Sequence, residues 1–226
     1  MPPEDAEVNG LQGLYRRRFD EKERERKNAL WKVLCEHFLQ RYVDPSDTVF
    51  DLGAGYGEFI NNIRCAHKYA VDLNDDTAGA LDEDVTFLKS SASELTDVGD
   101  GTADVVFASN LFEHIRSKEE LLTLLKEIAR VLRVGGKLLV LQPNIRYAFR
   151  EYWDFFDHHL PLSHHSLREA LEMTGFRVTE ERPRFLPYTT KNSLPQQLWL
   201  LRVYLRLRPL QWLLGRQMFV VAEREG

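Results

Sequence analysis

Three glycines at alternate positions, with an acidic residue on either side, are the feature of this sequence most able to bind a small molecule. Gly53, Gly55 and Gly57 follow a short apolar segment that ends at Asp51. Glycine reaches left-handed backbone angles and allows a ligand to approach the main chain closely. Asp72 ends the next apolar segment, and a carboxylate there can accept hydrogen bonds from both hydroxyls of a ribose. The pattern predicts a nucleoside pocket.

Histidine side chains that could remove a proton are concentrated in two places. Of seven histidines, four lie within residues 158–165, and His114 follows the fourth apolar segment. An imidazole can act as a general base near neutral pH. We predict His158, His114 and Asp157 as catalytic residues, with Asp157 orienting the ring of His158. The alternative is that these histidines cap helices or bind backbone carbonyls.

Length, composition and charge indicate one globular domain with a small-molecule partner. The chain has 226 residues, of which 43% are hydrophobic and 29% charged, which is ordinary for a globular protein. Its net charge of −5 and pI near 5.8 argue against a nucleic-acid substrate. No apolar run approaches the roughly 20 residues that cross a bilayer, and the N-terminus does not resemble a signal peptide. We expect a cytoplasmic protein without a transmembrane segment, and a homodimer stays open.

Strands and helices alternate along most of the chain. The apolar patterns predict strands at residues 48–52, 69–73, 85–88, 103–109, 137–142, 176–179 and 217–222. Helices are predicted at residues 28–42, 57–66, 76–82, 117–132, 166–174 and 196–207. This alternation predicts an α/β fold whose largely parallel sheet has helices on both faces. Ser117 and Glu120 have the spacing of a capping box, and Gly135-Gly136 is expected to end that helix.

The chain divides into a charged arm and one main domain. Residues 1–27 are predicted to form an N-terminal helical arm, either exposed to solvent or acting as a lid with Tyr15 on its inner face. Residues 28–226 form the domain, with insertions at about 143–165 and about 184–215. The first insertion is rich in aromatic residues and histidines. It is expected either to line an acceptor pocket or to form a small secondary core.

Three segments together resemble the class I S-adenosylmethionine-dependent methyltransferases. Residues 48–59, 103–114 and 129–138 are similar to that family's first, fourth and fifth strand signatures, in order and at the usual spacing. The resemblance covers about residues 28–142. It implies a Rossmann-like, doubly wound sheet of seven strands in the order 3-2-1-4-5-7-6, with strand 7 antiparallel. It also implies S-adenosyl-L-methionine as the cofactor.

The resemblance assigns the cofactor site to residues that follow the first four strands. They are Asp51, Gly53, Ala54, Gly55, Gly57, Asp72, Leu73, Ser91, Ala92, Ser93, Ser109 and Asn110. Asp72 is expected to hold the ribose hydroxyls and Leu73 to pack on the adenine. Ser91 stands where many relatives have an acid that binds the adenine amino group. Some members bind a metal through a pair such as Glu113-His114 with an acid three residues earlier; that position is Asn110 here, so no metal is expected.

The predicted reaction is methyl transfer to a small molecule, most simply O-methylation of a sugar-containing or anionic biosynthetic intermediate. The residues expected to contact this acceptor are Tyr15, Tyr152, Trp153, His159 and Arg184. N-methylation is the near alternative. Two other classes stay open, a nicotinamide-dependent reductase and a non-catalytic scaffold that binds the cofactor. Glu58 breaks the G-x-G-x-x-G spacing of the reductases.

Arginines alternate with large apolar residues over residues 198–208. The simplest interpretation is a helix that packs on strand 7 while its arginines reach outward. The alternatives are a dimer face or contact with a lipid-linked acceptor at a membrane surface.

Overall fold

A seven-stranded sheet forms the centre of the computed structural model, which describes residues 21–188 and 197–226. The strands are β1 (Thr48–Leu52), β2 (His67–Asp72), β3 (Val85–Lys89), β4 (Ala103–Ser109), β5 (Leu132–Pro143), β6 (Phe176–Arg182) and β7 (Gln217–Arg224). Their order is β3-β2-β1-β4-β5-β7-β6, and β7 runs antiparallel to β5 and β6. The predicted fold, strand order and strand direction are therefore confirmed.

Six helices cover the two faces of this sheet in the described part of the chain. They are α1 (Glu21–His37), α2 (Lys118–Val131), α3 (Ile145–Tyr152), α4 (His164–Glu172), α5 (Leu198–Arg206) and α6 (Arg208–Leu214). Single 3₁₀ turns occur at Leu39–Tyr42, Asp75–Ala80 and Phe112–His114. None of the described helices is long and apolar enough to span a membrane.

The sheet separates two hydrophobic cores. One core joins α2 and α4 to the sheet through residues such as Ile128 and Leu167. The other joins α1 and α5 to the opposite face through residues such as Leu34 and Leu201. Successive side chains of a strand point to opposite faces, so the central strands are apolar at nearly every position. This is the pattern of a buried parallel sheet.

The predicted helix at residues 57–66 is wrong. The structure has consecutive turns there, although the Asn61 amide donates to the Gly57 carbonyl at 2.9 Å. The side chain of Asn61 binds the Ala80 carbonyl, and that of Asn62 binds the Glu58 carbonyl. Asparagine side chains that bind backbone groups compete with a regular helix.

The structure differs from the predicted capping box at the start of α2 and from the predicted glycine stop at its end. Ser117 does cap the helix by accepting from the Glu120 amide at 3.1 Å. The carboxylate of Glu120 accepts from the Arg116 amide, which is not the reciprocal bond of a capping box. Gly135 and Gly136 lie inside β5 and do not end the helix, because β5 already begins at Leu132, which pairs with Ala103.

The first described helix begins and ends earlier than predicted. One continuous helix, Glu21–His37, stands where a helix at residues 28–42 was predicted, and the division into arm and domain at residue 27 stays a prediction. Residues 1–20, including Tyr15, lie outside the described part of the chain. The first insertion contains a helix, Ile145–Tyr152, that the aromatic sequence did not predict. It begins at Asn144, whose side chain accepts from the Arg146 amide.

Candidate active site

The glycine loop after β1 is bound to the end of β2 by backbone hydrogen bonds. The amides of Gly53 and Ala54 both donate to the Val71 carbonyl, at 2.9 and 3.2 Å. Gly53, Gly55 and Gly57 have φ angles of +67°, +57° and +73°, in the region that other residues avoid. The predicted need for glycine at these three positions therefore has a backbone cause.

Gly55 differs from the other two glycines in having free space where a Cβ would lie. A Cβ atom on Gly53 would lie 3.0 Å from the Leu111 side chain, and one on Gly57 would lie 2.8 Å from that of Leu81. A Cβ on Gly55 would meet only a Glu58 oxygen, at 3.9 Å. Gly55 thus faces open space, where a ligand can approach the backbone.

Asp72 is held at the tip of β2 by two main-chain donors. Its Oδ2 accepts from the Gly55 amide and its Oδ1 from the Asn74 amide, both at 2.8 Å. Burial raises the pKa of Asp72, while these backbone bonds oppose that shift. Each carboxylate oxygen has a second acceptor position, so the group can still bind a ribose hydroxyl. Leu73 beside it is 50% exposed, as expected of a side chain that packs on a base.

Acidic groups surround the loop. Asp51 is buried, and burial, reinforced by the charges of Glu58 and Asp72, raises its pKa well above the usual range. Glu58 is nearly buried and pairs with Lys27 of α1 at 2.8 Å. A cation bound beside the loop would favour the charged forms of these carboxyl groups, so the setting suits a cationic ligand. In the sequence, Glu58 served only to argue against a reductase, and neither it nor Lys27 was assigned to the site.

The remaining predicted cofactor residues lie after β3 and β4. The hydroxyls of Ser91 and Ser93 bond to each other at 2.9 Å, and Ala92 between them packs against a core. Asn110 has a φ of +48°, which is uncommon outside glycine and typical of functional turns. Its side chain donates to Ser109 and accepts from Gln217.

The carboxyl ends of β1, β2 and β4 bring these residues to one edge of the sheet. Leu52 of β1 pairs with Val71 of β2 and Ala108 of β4. The Leu111 side chain, which follows β4, contacts Gly53 of the glycine loop. The Phe112–His114 turn comes directly afterwards, so this turn borders the predicted cofactor site.

The first insertion packs against this turn. The amides of His159 and Leu160 both donate to the Glu113 carbonyl, at 2.7 and 3.2 Å. The Nδ1 atom of His114 lies 2.9 Å from the backbone oxygen of Asp157 and 3.6 Å from its Oδ2. Sequence neighbours suggested that Asp157 orients His158, but the structure places it against His114. An Nδ1 that donates to Asp157 leaves Nε2 of His114 as the basic atom.

His158 lies in an aromatic environment beside His114. Its ring centroid is 5.1 Å from that of His114, 4.7 Å from that of Tyr152 and 4.9 Å from that of Phe155. His158 is 8% exposed and Tyr152 is fully buried, whereas the side chain of His114 is 25% exposed. His114 is therefore the more accessible of the two histidines.

Glu113 has a more buried environment than its sequence position indicates. It is 3% exposed, and its Oε2 has no hydrogen-bond partner among the described residues. Burial, with a smaller effect of the Asp157 charge, raises the pKa of Glu113 to about 8. The sequence indicated only that Glu113 stands beside His114 after β4. It did not indicate that Glu113 is buried, because the insertion that packs against it is distant in sequence.

The Glu113→Gln variant is expected to remove a pH dependence of stability. The pKa of Glu113 is 4.5 without these neighbours and about 8 in the fold. Between those values the unfolded chain loses its proton first, so the free energy of unfolding falls as pH rises, by up to about 1.4 kcal/mol per pH unit. Urea unfolding of the wild-type chain and the variant from pH 5 to pH 8 gives the difference between their free energies of unfolding. Contributions from neighbouring groups that are common to both proteins cancel in that difference. Parallel profiles would contradict the raised pKa.

The same cluster has the composition of a metal site. Glu113, His114 and His158 each offer one ligand atom, and these atoms lie within 4.8 Å of one another. One carboxylate and two imidazoles form a set that zinc and other transition metals accept. Sequence spacing gave only the first two residues, and the insertion adds the third. These residues could therefore hold a divalent cation, although the sequence predicted none.

Three predicted acceptor residues have different surroundings. Trp153 is 54% exposed and packs edge-on against Tyr152. His159 is exposed and is held by its backbone. The guanidinium of Arg184 donates to the carbonyls of Gly215 and Leu213, at 2.9 and 2.7 Å. Two guanidinium nitrogens of Arg184 therefore bind the end of α6, and its role in clamping an anionic acceptor stays a prediction.

Comparison with known proteins identifies the domain type. Residues 50–140 match the family model described as a methyltransferase domain. The chain is 32% identical over 126 residues to a ubiquinone/menaquinone biosynthesis C-methyltransferase of Agrobacterium fabrum, covering 51% of this chain and 48% of that protein. It is 31% identical over 118 residues to a sarcosine/dimethylglycine N-methyltransferase of Halorhodospira halochloris, covering 46% and 40%.

A solved structure supports the same fold. The crystal structure of a SAM-dependent methyltransferase from Archaeoglobus fulgidus matches 87% of this chain and 94% of that chain, with a TM-score of 0.65 and 23% identity. The chain spans about half the length or less of the curated relatives it matches. The part that matches the family model runs from within β1 to within β5 and contains the glycine loop and the Phe112–His114 turn.

Proposed function

We propose that this chain, which contains a class I S-adenosylmethionine-dependent methyltransferase domain, transfers a methyl group to a small-molecule acceptor by O-methylation. The observation that carries the proposal is the meeting of two groups at one sheet edge. An open glycine loop lined by carboxyl groups lies on one side, and His114, whose Nδ1 bonds to the Asp157 backbone oxygen, lies on the other. The methyltransferase match argues against the nicotinamide-dependent reductase.

The residues around the loop suit the cofactor. S-Adenosylmethionine supplies an electrophilic methyl group on a positively charged sulfonium. Gly55 leaves room for a nucleoside, and Asp72 offers its second acceptor positions to the ribose. The carboxyl groups of Asp51 and Glu58 lie by the loop, and a bound cation would favour their charged forms. Leu73 offers an exposed apolar surface to the adenine.

On the acceptor side we assign the general base to His114. Its Nδ1 faces Asp157, which sets the tautomer and stabilises the imidazolium that forms when Nε2 accepts a proton. An acceptor hydroxyl needs such a base, because a neutral hydroxyl is a weak nucleophile. His158 and Tyr152 form the wall behind it, and Trp153 offers an exposed ring to the acceptor.

We propose oxygen as the atom that is methylated. The two curated relatives are named for methylation of carbon and of nitrogen. We favour oxygen because a single oriented histidine satisfies what a hydroxyl requires. Incubation with S-adenosylmethionine and a panel of sugar-containing and anionic hydroxyl compounds, followed by mass spectrometry, tests this. Methylated products only from amines would support N-methylation, and cofactor binding without any product would support the scaffold.

Replacing Asp72 by asparagine is expected to weaken cofactor binding by about 1–3 kcal/mol, because a carboxylate that accepts from the ribose is replaced by a group with half its acceptor oxygens. Titration calorimetry measures the effect. Asp75→Asn is the matched control. Asp75 lies in the 3₁₀ segment that follows Asp72, pairs with Lys89 of β3 and is solvent-exposed. Equal affinity of wild type and Asp72→Asn would contradict the ribose assignment.

A chelator separates the base role of His114 from a metal role. If His114 accepts the proton itself, turnover measured after dialysis against EDTA should stay within about twofold of the untreated enzyme. A loss that added Zn²⁺ or Mn²⁺ restores would instead make Glu113, His114 and His158 ligands, and would contradict the general-base assignment.

A further inference from the structure

The outward side of α5 and α6 is an apolar surface that no described residue covers. The inward side of α5 is already packed, since Leu201, Tyr204 and Leu205 are buried in the core with α1. The exposed large apolar side chains are Leu198, Trp199, Val203, Trp212, Leu213 and Leu214. Trp212 is 70% exposed and Trp199 58%. We call this surface the α5–α6 face; its apolar side chains are not needed for packing against the sheet.

The same face is basic in a chain that is acidic overall. Arg202, Arg206 and Arg208 are exposed, and none has an ion pair to a described residue. From Arg184 to Ala222 the sequence contains no aspartate or glutamate, although the net charge of the chain is −5. Several arginines elsewhere pair with acids, as Arg130 does with Glu127. The local excess of positive charge therefore favours a negatively charged partner.

We propose that the α5–α6 face docks on the surface of an anionic lipid bilayer. Tryptophan prefers the boundary between water and acyl chains, and arginine binds phosphate groups through several donors. Helices of nine and seven residues can lie in the plane of the interface with their apolar side chains below the headgroups. A second copy of the chain fits less well, because a symmetric dimer through this face would oppose arginines to arginines.

The face lies next to the candidate active site. α6 leads into β7, whose first residue, Gln217, donates to Asn110 at 2.8 Å. The Arg184 guanidinium lies 5.4 Å from the Trp212 ring and 4.8 Å from the Tyr147 ring of α3. Docking would therefore hold the carboxyl edge of the sheet close to the headgroups. If the proposed methyl transfer is correct, an acceptor carried on a lipid would suit this position; the docking itself does not depend on the reaction.

Vesicle sedimentation of the full chain, without cofactor, tests the docking. Vesicles of phosphatidylcholine with roughly one third phosphatidylglycerol should bind the chain at least about tenfold more tightly than phosphatidylcholine alone, and added salt should weaken the binding. Arg202→Glu with Arg206→Glu should reduce binding about tenfold or more. Lys118→Glu with Lys126→Glu makes the same charge change on α2, across the sheet, and should leave binding unchanged.

A second pair of variants tests the apolar part. Trp199→Ser with Trp212→Ser should reduce binding to anionic vesicles at least about tenfold, whereas Met173→Ser, at a 72% exposed site after α4, should not. Circular dichroism and melting temperature check that each variant folds. The proposal is overturned if the wild-type chain ignores anionic vesicles or if the controls weaken binding equally. It is also overturned if sedimentation velocity shows a dimer that the tryptophan changes dissociate while no vesicle binding occurs.

Discussion

A Gly55→Val variant is expected to fold but to bind S-adenosylmethionine at least about 100-fold more weakly than the wild-type chain. The valine side chain would enter the open space beside the loop, where only a Glu58 oxygen lies within 4 Å of the position that a Cβ would take. The change also places a β-branched residue at a φ of +57°, which costs roughly 1–2 kcal/mol of stability. Titration calorimetry measures the affinity, and thermal unfolding measures the strain.

Gly175→Val separates these two effects. Gly175 has a φ of +87° and nothing within 4 Å of the position that a Cβ would take. It precedes β6, the outermost strand on the side of the sheet away from β2 and β3. We expect a similar loss of stability with normal cofactor affinity. If Gly55→Val kept its affinity, or if both variants lost it equally, the glycine loop would not be the binding surface.

The His114→Ala variant is expected to lower kcat by about 10²- to 10⁴-fold, the usual contribution of a general base. Its affinity for S-adenosylmethionine should stay within about twofold, because His114 contacts the acceptor side of the site. The assay follows methylated product from whichever acceptor the compound panel identifies. The acidic limb of the wild-type pH–rate profile should disappear in the variant, an effect that a purely structural role would not produce.

His165→Ala is the control for this change. His165 is exposed on α4 and its ring contacts that of His164 in a tilted arrangement, so its loss should leave kcat unchanged. If His114→Ala turned over at the wild-type rate, the acceptor would need no base or the base would lie elsewhere. His158→Ala would then become the informative variant.

Short-range sequence signals located most of the sheet. The apolar segments predicted β4 at its exact limits, and the three strand signatures implied the strand order that the structure shows. The errors arose where side chains bind the backbone of other segments. Asn61 bonds to Ala80, and such a contact cannot be read from helical periodicity. Gly135 and Gly136 looked like a helix stop because the pairing of Leu132 with Ala103 is not visible in the sequence.

The two halves of the candidate site were unequally predictable. The cofactor loop is local in sequence, so the positive φ angles of its glycines follow from residue type and spacing. The acceptor side depends on how the insertion folds back onto the Phe112–His114 turn. Their adjacency in sequence suggested that Asp157 orients His158. In the fold, the backbone oxygen of Asp157 lies at hydrogen-bond distance from Nδ1 of His114. Likewise, the sequence did not indicate that two guanidinium nitrogens of Arg184 bind the end of α6.

The crystal structure of this chain with S-adenosylhomocysteine would show whether the glycine loop binds the cofactor. We expect one ligand per chain, with the ribose hydroxyls within hydrogen-bond distance of the Asp72 carboxylate, the adenine against Leu73, and the sulfur between the glycine loop and His114. A ligand bound away from Gly55 and Asp72, or none at millimolar concentration, would contradict it.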